Sequence, residues 1–217
     1  IYNSFNEFFT RSLAEDARPV INSPVSIASP VDGSVSQAGE IVEEALLQAK
    51  GKNFSLNTLL ANDSDAVKRF TNGSFSTIYL SPRDYHRIHM PLDAKLLKMT
   101  YVPGDLFSVN DSSSKVVDQL FARNERVICL FETRFGLMAA ILVGAIFVGG
   151  METVWHGEIT PAKKRELRIW EYDENTTTQT NFVKGEELGR FNMGSTVILL
   201  FEQDRVNWSE NMSAGNK

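Results

Sequence analysis

Apolar residues along this chain fall mostly in short runs or alternate with polar ones, the two patterns that are typical of β-strands. The richest region, from Arg126 to Val154, predicts three consecutive strands that break at Arg134-Phe135-Gly136 and at Gly144. The same patterns predict strands in six other segments: 26–50, 75–80, 95–102, 165–172, 197–201 and 206–208. Strands therefore make up most of the predicted regular structure.

Helical spacing appears in three places. Near the start, Ser4-Phe5-Asn6-Glu7 fits a capping box, and the apolar residues that follow share one face, which predicts a short amphipathic helix from about Phe5 to Leu13. Segments 55–70 and 112–123 predict further short helices. Because strands outnumber helices, the sequence predicts an α+β fold of mainly antiparallel β sheets, in a single domain over residues 1–217.

One uncharged stretch, Phe135 to Met151, is 17 residues long and reaches only the lower limit for a membrane-spanning helix. Its four glycines weaken a helix, and its isoleucines and valines favour strands. Two buried strands with a break near Gly144 are therefore predicted here in place of a membrane span.

Composition narrows the classes of function. The chain of 217 residues has a net charge of −5 at pH 7, so it lacks the basic excess of a nucleic-acid-binding domain. Its single cysteine, Cys129, lies in the apolar run Val127 to Phe131. This position predicts a buried thiol, and one cysteine excludes a disulfide framework.

Candidate chemistry is concentrated near the end of the chain, where Gly194 and Ser195 precede an apolar, β-branched run. Glycine lacks a Cβ, so its carbonyl can be approached closely, and Ser195 Oγ is a candidate nucleophile toward the carbonyl of Gly194. A plain Gly-Ser turn at the start of a strand accounts for the same local sequence. The motif therefore needs partners elsewhere in the chain.

Partners of the required type are present in Asp32, at an Asp-Gly step, and in His86 and His89. A histidine can take the proton of a serine hydroxyl, and a carboxylate can orient that histidine, whereas the bland interpretation of Asp32 is a turn-forming residue. On a strand, residues three apart point to opposite faces, so the two histidines should serve different neighbours unless they lie on a turn. Two histidines without a third well-spaced ligand do not indicate a zinc site.

Several segments that run in order over nearly the whole chain carry a resemblance to a known family: Ser4 to Phe9, Pro30 to Gly33, Ser81 to Pro91, Val102 to Asn110, Phe121 to Arg126, and Gly189 to Phe191. They resemble motifs of phosphatidylserine decarboxylase, the pyruvoyl-dependent family whose proenzyme cleaves itself within a Leu-Gly-Ser-Thr motif. This sequence has Met-Gly-Ser-Thr, and methionine replaces leucine with little change of size.

The resemblance implies a reaction of the chain on itself. Ser195 would attack the carbonyl of Gly194, with His89 as the base of this maturation step and Asp32 as the carboxylate that orients His89. Ser195 would become the pyruvoyl group, the covalent cofactor. The products would be a β subunit and an α subunit, residues 1–194 and 195–217.

For the mature enzyme, the resemblance implies decarboxylation of phosphatidylserine to phosphatidylethanolamine, with the pyruvoyl group as electron sink. It assigns His86 as the general acid and Ser108 as a weaker candidate for proton donation, and it gives no role to His156 and none to a metal. It also implies a homodimer that binds the membrane surface peripherally, at the cytoplasmic face of the inner (cell) membrane, with further N-terminal segments that help to hold it there.

Two other interpretations of the sequence stay open. A serine hydrolase could use the same Asp32, His89 and Ser195, although no Gly-x-Ser-x-Gly elbow surrounds the serine. A non-catalytic, β-rich binding domain would contain Gly194-Ser195 only as a turn. An active-site serine probe separates the hydrolase from the decarboxylase, because a matured pyruvoyl enzyme has no hydroxyl left at residue 195.

Overall fold

The computed structural model describes residues 2–14, 16–49, 51–146, 150–162, 164–192, 195–209 and 212–216, and for Ser195 it describes the backbone only. Within these residues the chain forms fourteen strands: β1 (Ser34–Glu40), β2 (Ala45–Ala49), β3 (Lys52–Ser55), β4 (Ser74–Leu80), β5 (Arg87–His89), β6 (Ala94–Val102), β7 (Arg126–Thr133), β8 (Gly136–Val143), β9 (Met151–Thr153), β10 (Gly157–Thr160), β11 (Arg168–Glu171), β12 (Asn181–Phe182), β13 (Glu187–Phe191) and β14 (Ser195–Phe201). It also forms five short helices: α1 (Phe5–Phe9), α2 (Leu56–Leu59), α3 (Ser64–Phe70), α4 (Asp111–Val116) and α5 (Leu120–Arg123).

Eight strands build one large sheet, in the spatial order β1-β4-β14-β8-β7-β6-β11, with β12 added beside β6. A smaller sheet has the order β10-β9-β13-β5, and β2 and β3 form a separate hairpin. All of these strand pairs are antiparallel. The predicted α+β fold with mainly antiparallel sheets is therefore confirmed.

The large sheet buries both of its faces, because successive side chains of a strand point to opposite sides. Along β14, Val197 and Leu199 pack with residues of the small sheet, whereas Ile198 and Leu200 pack beneath the β2-β3 hairpin and helices α2, α3 and α5. The predicted strand at 206–208 is instead a loop that packs on the side of the small sheet. The large sheet is thus the middle of three layers.

The region Arg126 to Val154 forms three strands, as its pattern predicts. A tight turn at Arg134-Phe135 joins β7 to β8, and the loop after β8 begins at Gly144. Part of this region, 147–149, lies outside the described residues. Cys129 in β7 is fully buried, which confirms the predicted buried thiol. In the described part of the chain, no helix is both long enough and apolar enough to cross a membrane.

Helix α1 is shorter than predicted. It begins at Phe5 but ends at Phe9 rather than at Leu13. The chain leaves the helix at Thr10, whose carbonyl accepts a hydrogen bond of 2.9 Å from Nε of Arg87. Of the predicted apolar face only Phe9 is buried, so an amphipathic helix that packs along its whole length is not confirmed.

The predicted helix over 112–123 is divided into α4 and α5 by a buried side chain from β2. The amide nitrogen of Gln48 donates to the carbonyls of Ser114 and Val117, at 2.8 and 2.6 Å. Its carbonyl oxygen accepts a hydrogen bond of 2.8 Å from the amide of Leu120. These three bonds replace helical ones, so a contact from a distant hairpin overrides the local helical pattern.

Candidate active site

Two crossings of the chain between the sheets are joined to each other at both of their ends. Residues 81–86 lead from β4 in the large sheet to β5 in the small one, and the chain returns from the end of β13, at Phe191, to the start of β14, at Ser195. The amide of Phe191 donates to the carbonyl of His86 at 3.0 Å, and Ser195 lies opposite Leu80 in the sheet register. The residues that flank the predicted cleavage bond are therefore held at the two ends of one short segment.

A tight turn shapes this segment. The amide of Asp84 donates to the carbonyl of Ser81 at 2.9 Å, and the amide of Ser81 donates to Oδ2 of Asp84 at 2.8 Å. The carbonyl of Asp84 in turn accepts a hydrogen bond of 2.8 Å from Nδ1 of His86. Asp84 is thus a turn-forming residue that also orients a histidine. Gly194, the predicted cleavage residue, lies outside the described residues.

His86 is fully buried beneath α1. The centroid of its ring lies 4.1 Å from that of Phe9. Because a carbonyl can only accept, the bond to Asp84 places the proton on Nδ1, and the described residues offer no partner to Nε2. Burial lowers the pKa of His86, so the imidazole is neutral near pH 7. A buried nitrogen without a partner is rare in folded proteins, and functional sites are one place where such groups are retained.

His89, the last residue of β5, lines a cavity together with Tyr85 and Arg87, whereas His86 and Ile88, which alternate with them, are fully buried. Its Nδ1 donates to the carbonyl of Gly185 at 2.8 Å, and its Nε2 lies 3.0 Å from the hydroxyl oxygen of Tyr85. The two rings are stacked, with centroids 5.7 Å apart and an angle of 23° between the planes. Both nitrogens of His89 are therefore hydrogen-bonded, in contrast to those of His86.

Asp32 lines the same cavity as His89, which has a volume of about 530 Å³. Its carboxylate is held by Arg18, with Nε 3.0 Å from Oδ1 and Nη2 2.7 Å from Oδ2. Among the hydrogen bonds of the described residues, none joins the side chains of Asp32 and His89. Their connection is through the backbone, where the amide of His89 donates to the carbonyl of Pro30 at 2.8 Å.

Two cations that border this cavity, Arg87 and Lys184, are also held by hydrogen bonds. Nη1 of Arg87 donates to Oε2 of Glu187 at 2.7 Å. The ammonium group of Lys184 donates to backbone carbonyls of the irregular segment 18–30: those of Ile21, Ser23 and Ser26, at 2.9, 3.3 and 2.8 Å. This segment, with Arg18 bound to Asp32, is therefore fastened over the cavity that contains His89.

Ser108 is half-buried in the loop between β6 and α4. Asn124, which is fully buried, fixes this loop: Nδ2 donates to the carbonyl of Phe107 at 2.8 Å, and Oδ1 accepts from its amide at 3.1 Å. The same Nδ2 donates to the carbonyl of Gly144 at 2.8 Å. Asn124 thus ties the loop of Ser108 to the loop that follows β8.

The segment before the predicted cleavage residue is anchored through Asn192. Its amide donates to the carbonyl of Gly150 at 2.8 Å, and its Nδ2 donates to Oε1 of Glu152 at 2.9 Å. Oε2 of Glu152 accepts a hydrogen bond of 2.8 Å from Nε of Arg190. Helix α1 reaches the same asparagine, because Nδ2 of Asn6 donates to its Oδ1 at 3.4 Å.

The third histidine, His156, packs edge-on against Trp170, with ring centroids 4.7 Å apart. Burial, with a smaller contribution from Arg168, lowers its pKa. Among the residues that the structure describes, no group of three or more His, Cys, Asp or Glu side chains could hold a metal ion.

Sequence reasoning missed the residues that hold the predicted ones in place: Tyr85, Arg18, Asn124 and Asn192. Tyr85 could have been found, because it precedes His89 by four residues and the period of two places both on one strand face. Arg18 carries no such signal, since it lies in an irregular segment.

Known proteins of one family are similar to this chain over nearly its whole length. The profile of the phosphatidylserine decarboxylase family matches residues 5–217. The chain is 54% identical over 214 residues to the phosphatidylserine decarboxylase proenzyme of Glaesserella parasuis serovar 5 (strain SH0165). The aligned residues make up 99% of this chain and 72% of that protein. It is 55% identical over 205 residues to the proenzyme of Pasteurella multocida (strain Pm70), covering 94% of this chain and 69% of that protein.

The proenzyme of a further bacterium, Azotobacter vinelandii (strain DJ / ATCC BAA-1303), is 52% identical over 212 residues, which are 98% of this chain and 74% of that protein. The segments that carry the sequence resemblance lie inside the matched range, including the histidine block and the Met-Gly-Ser-Thr motif. The chain therefore belongs to the phosphatidylserine decarboxylase family, a family of carboxy-lyases.

Proposed function

We propose that this chain decarboxylates phosphatidylserine to phosphatidylethanolamine, with a pyruvoyl group that it makes from its own Ser195 by cleavage after Gly194. The observation that carries the proposal is the arrangement of Phe191 and Ser195, which flank that bond and are held at the two ends of the histidine-containing segment 81–86. The names of the relatives, phosphatidylserine decarboxylase proenzymes, support both the substrate and the processing of a precursor.

The proposed cleavage is an acyl shift followed by an elimination. Ser195 Oγ attacks the carbonyl carbon of Gly194, and the peptide C–N bond breaks to leave an ester and a free amine. Elimination then breaks the Cβ–Oγ bond, which frees Gly194 as a carboxylate and leaves dehydroalanine at position 195. Water replaces the nitrogen of this residue, ammonia leaves, and the pyruvoyl group blocks the amine end of Thr196.

The proposed base for the first step is His89, supported by Asp32. The carbonyl of Gly185 already holds His89 in the tautomer whose Nε2 can accept a proton. Asp32 is bound to Arg18, whose side chain is 62% exposed. Because exposed ion pairs are weak, Asp32 can leave Arg18 at little cost and support the imidazole across the shared cavity.

The residues present fit a pyruvoyl group at this place. Nε2 of His86 is buried and has no partner among the described residues, and the carbonyl of His86 accepts a hydrogen bond from the amide of Phe191, four positions before Ser195. When formed, the pyruvoyl group supplies the electron sink for the loss of CO₂. In the neutral tautomer Nε2 of His86 has no proton, so His86 is proposed first to take up a proton at Nε2 and then to deliver it to the former α-carbon. Ser108 is the second candidate for this task.

We also propose that α1 faces the membrane that contains the substrate. Tyr2, Phe5 and Phe8 are 51%, 64% and 49% exposed, while Phe9 on the inner side covers His86. Aromatic rings are favoured at the boundary between lipid and water. The proposed enzyme is a peripheral homodimer at the cytoplasmic face of the inner (cell) membrane. Light scattering tests the dimer, and flotation with anionic vesicles before and after Phe5→Ser tests the membrane contact.

The experiment that tests the proposed function is the intact mass of the freshly made protein under denaturing conditions, with and without an amine and a reductant that trap ketones. Two fragments that part after Gly194, the smaller one blocked and trappable, are expected. Ser195→Ala should give one intact chain. A wild-type chain that stays intact with a serine at 195 would contradict the proposal, and labelling of Ser195 by a fluorophosphonate would favour the serine hydrolase.

A further inference from the structure

Tyr85 lies in the short segment between Leu80, the neighbour of Ser195 in the sheet, and the proposed base, His89. In the pairing of β5 with β13, His89 is opposite Glu187, seven positions before Gly194 in the sequence. The segment 81–86, by contrast, starts beside Leu80, which is opposite Ser195, and ends at the residue bonded to Phe191. Tyr85 belongs to this segment, and its side chain reaches the ring of His89.

The directions of the hydrogen bonds around His89 follow from the chemistry of the partners. The carbonyl of Gly185 can only accept, so Nδ1 carries the proton of the neutral imidazole and Nε2 accepts. The hydroxyl of Tyr85 therefore donates to Nε2 across 3.0 Å. Its oxygen keeps lone pairs with which it can accept a hydrogen bond from a second hydroxyl.

Packing around the Tyr85 ring fixes the position of its hydroxyl. The side chain is buried and its ring is stacked on that of His89. Burial raises the pKa of Tyr85, so the phenol keeps its proton at neutral pH and can act as a donor. Among the described residues, His89 is the only hydrogen-bond partner of this hydroxyl.

We propose that Tyr85 takes part directly in self-cleavage: its hydroxyl holds Nε2 of His89 and connects it to the hydroxyl of Ser195 as a proton relay. The proton of Ser195 moves to the phenol oxygen while the phenol proton moves to Nε2. Oγ bonds to the carbonyl carbon of Gly194, the C–N bond breaks, and the proton returns through the same two groups to the departing nitrogen. Tyr85 and His89 end unchanged. This inference rests on the proposed function and adds a residue to it.

The test follows self-cleavage of the full chain after cell-free synthesis, on denaturing gels. Tyr85→Phe should slow cleavage roughly 10²-fold, the size expected for a lost proton-transfer group. Tyr85→Leu should slow it to the same extent, because the hydroxyl and not the ring is what matters. If the Tyr85 ring had only a structural role, Tyr85→Phe would cleave itself as fast as the wild type. The matched control is Tyr172→Phe, which removes the hydroxyl of a tyrosine next to β11, outside the residues that line the cavity of His89, and should cleave at the wild-type rate.

A spectroscopic measurement keeps the proposal testable if a variant folds poorly. In the uncleaved Ser195→Ala chain, Tyr85→Phe should move the ¹⁵N resonance of Nε2 of His89 and leave those of His86 and His156 in place. An unchanged His89 resonance, or cleavage of Tyr85→Phe within about twofold of the wild type or faster, would overturn the relay. A wild-type chain that never cleaves would contradict the proposed function instead, so the two failures are distinct.

Discussion

The two faces of the segment that contains His86 and His89 give the same side chain two different environments. His86 points inward under Phe9, is fully buried, and has one nitrogen without a partner among the described residues. His89 points outward into a cavity bordered by charged groups, and the carbonyl of Gly185 and the hydroxyl of Tyr85 occupy its two nitrogens. The alternation of a strand thus converts one motif into two distinct imidazoles.

This difference matches two different chemical tasks. A base in a cleavage reaction needs a fixed tautomer and a partner for its accepting nitrogen, and His89 has both. A group that handles one proton in a site shielded from water needs a dry environment and a free nitrogen, and within the described part of the chain His86 has both. The proposed division of roles therefore rests on the surroundings of each histidine.

The largest expected effect comes from exchanging the two histidines for alanine. His89→Ala should leave the chain uncleaved, or slow cleavage by 10²-fold or more, because the proposed base is lost. His86→Ala should still cleave, but its decarboxylation per pyruvoyl group should fall by roughly 10²-fold or more. Intact mass measures the first reaction and release of CO₂ the second. If His86→Ala blocks cleavage and His89→Ala does not, the roles are reversed, and the bond between His86 and Phe191 would explain why.

Phe9→Ala removes the apolar ring that packs on His86. Loss of this buried ring should lower the free energy of unfolding by about 3 kcal/mol and should expose His86 to water. Chemical denaturation measures the stability, and modification by diethyl pyrocarbonate followed by mass spectrometry measures the exposure. Phe5→Ala, in the same helix but 64% exposed, is the matched control and should cost less than about 0.5 kcal/mol. Equal effects of the two variants would show that Phe9 does not seal His86.

The free energy of unfolding, measured as a function of pH, should reveal the contribution of the buried His86. Burial lowers the pKa of His86 below its ordinary value of 6.5, so the unfolded chain binds the proton first. The contribution to stability is complete above pH 6.5 and is lost as the pH falls toward the lowered pKa of the folded state. His86→Phe should make the fall in unfolding free energy between pH 7 and 5 shallower, and the remainder should include His156, whose pKa is also lowered. An unchanged slope would contradict the neutral, buried imidazole.

The smallest expected effect concerns the polar side, where Arg18 competes for Asp32. Arg18→Gln should free the carboxylate and speed cleavage by no more than about fivefold, since an exposed ion pair is weak. The melting temperature should stay the same within error. The rate of cleavage is measured on denaturing gels. The control is Arg11→Gln, which changes a different arginine, one that donates to the carbonyl of Phe8 in α1. Slower cleavage of Arg18→Gln would mean that the ion pair itself serves the reaction.

Local patterns in the sequence were enough for much of the secondary structure and for the family. Short apolar runs and alternating patterns identified β4, β6, β7 and β8, and the runs of β7 and β8 are nearly continuous because both faces of these strands are buried. The period of two along a strand also predicted that His86 and His89 serve different neighbours. The ordered blocks from Ser4 to Phe191 identified the family over nearly the whole chain.

Tertiary structure alone decided which groups surround each predicted residue. Gln48 divides α4 from α5 through bonds to residues up to 72 positions away, and Lys184 fastens the segment 18–30 from more than 150 positions away. No window of local sequence contains both members of such pairs, so periodicity and propensity cannot predict them. The sequence by itself therefore determined the strands, the family and the candidate residues, whereas packing between distant segments decided that Phe9 covers His86, Arg18 holds Asp32 and Tyr85 meets His89.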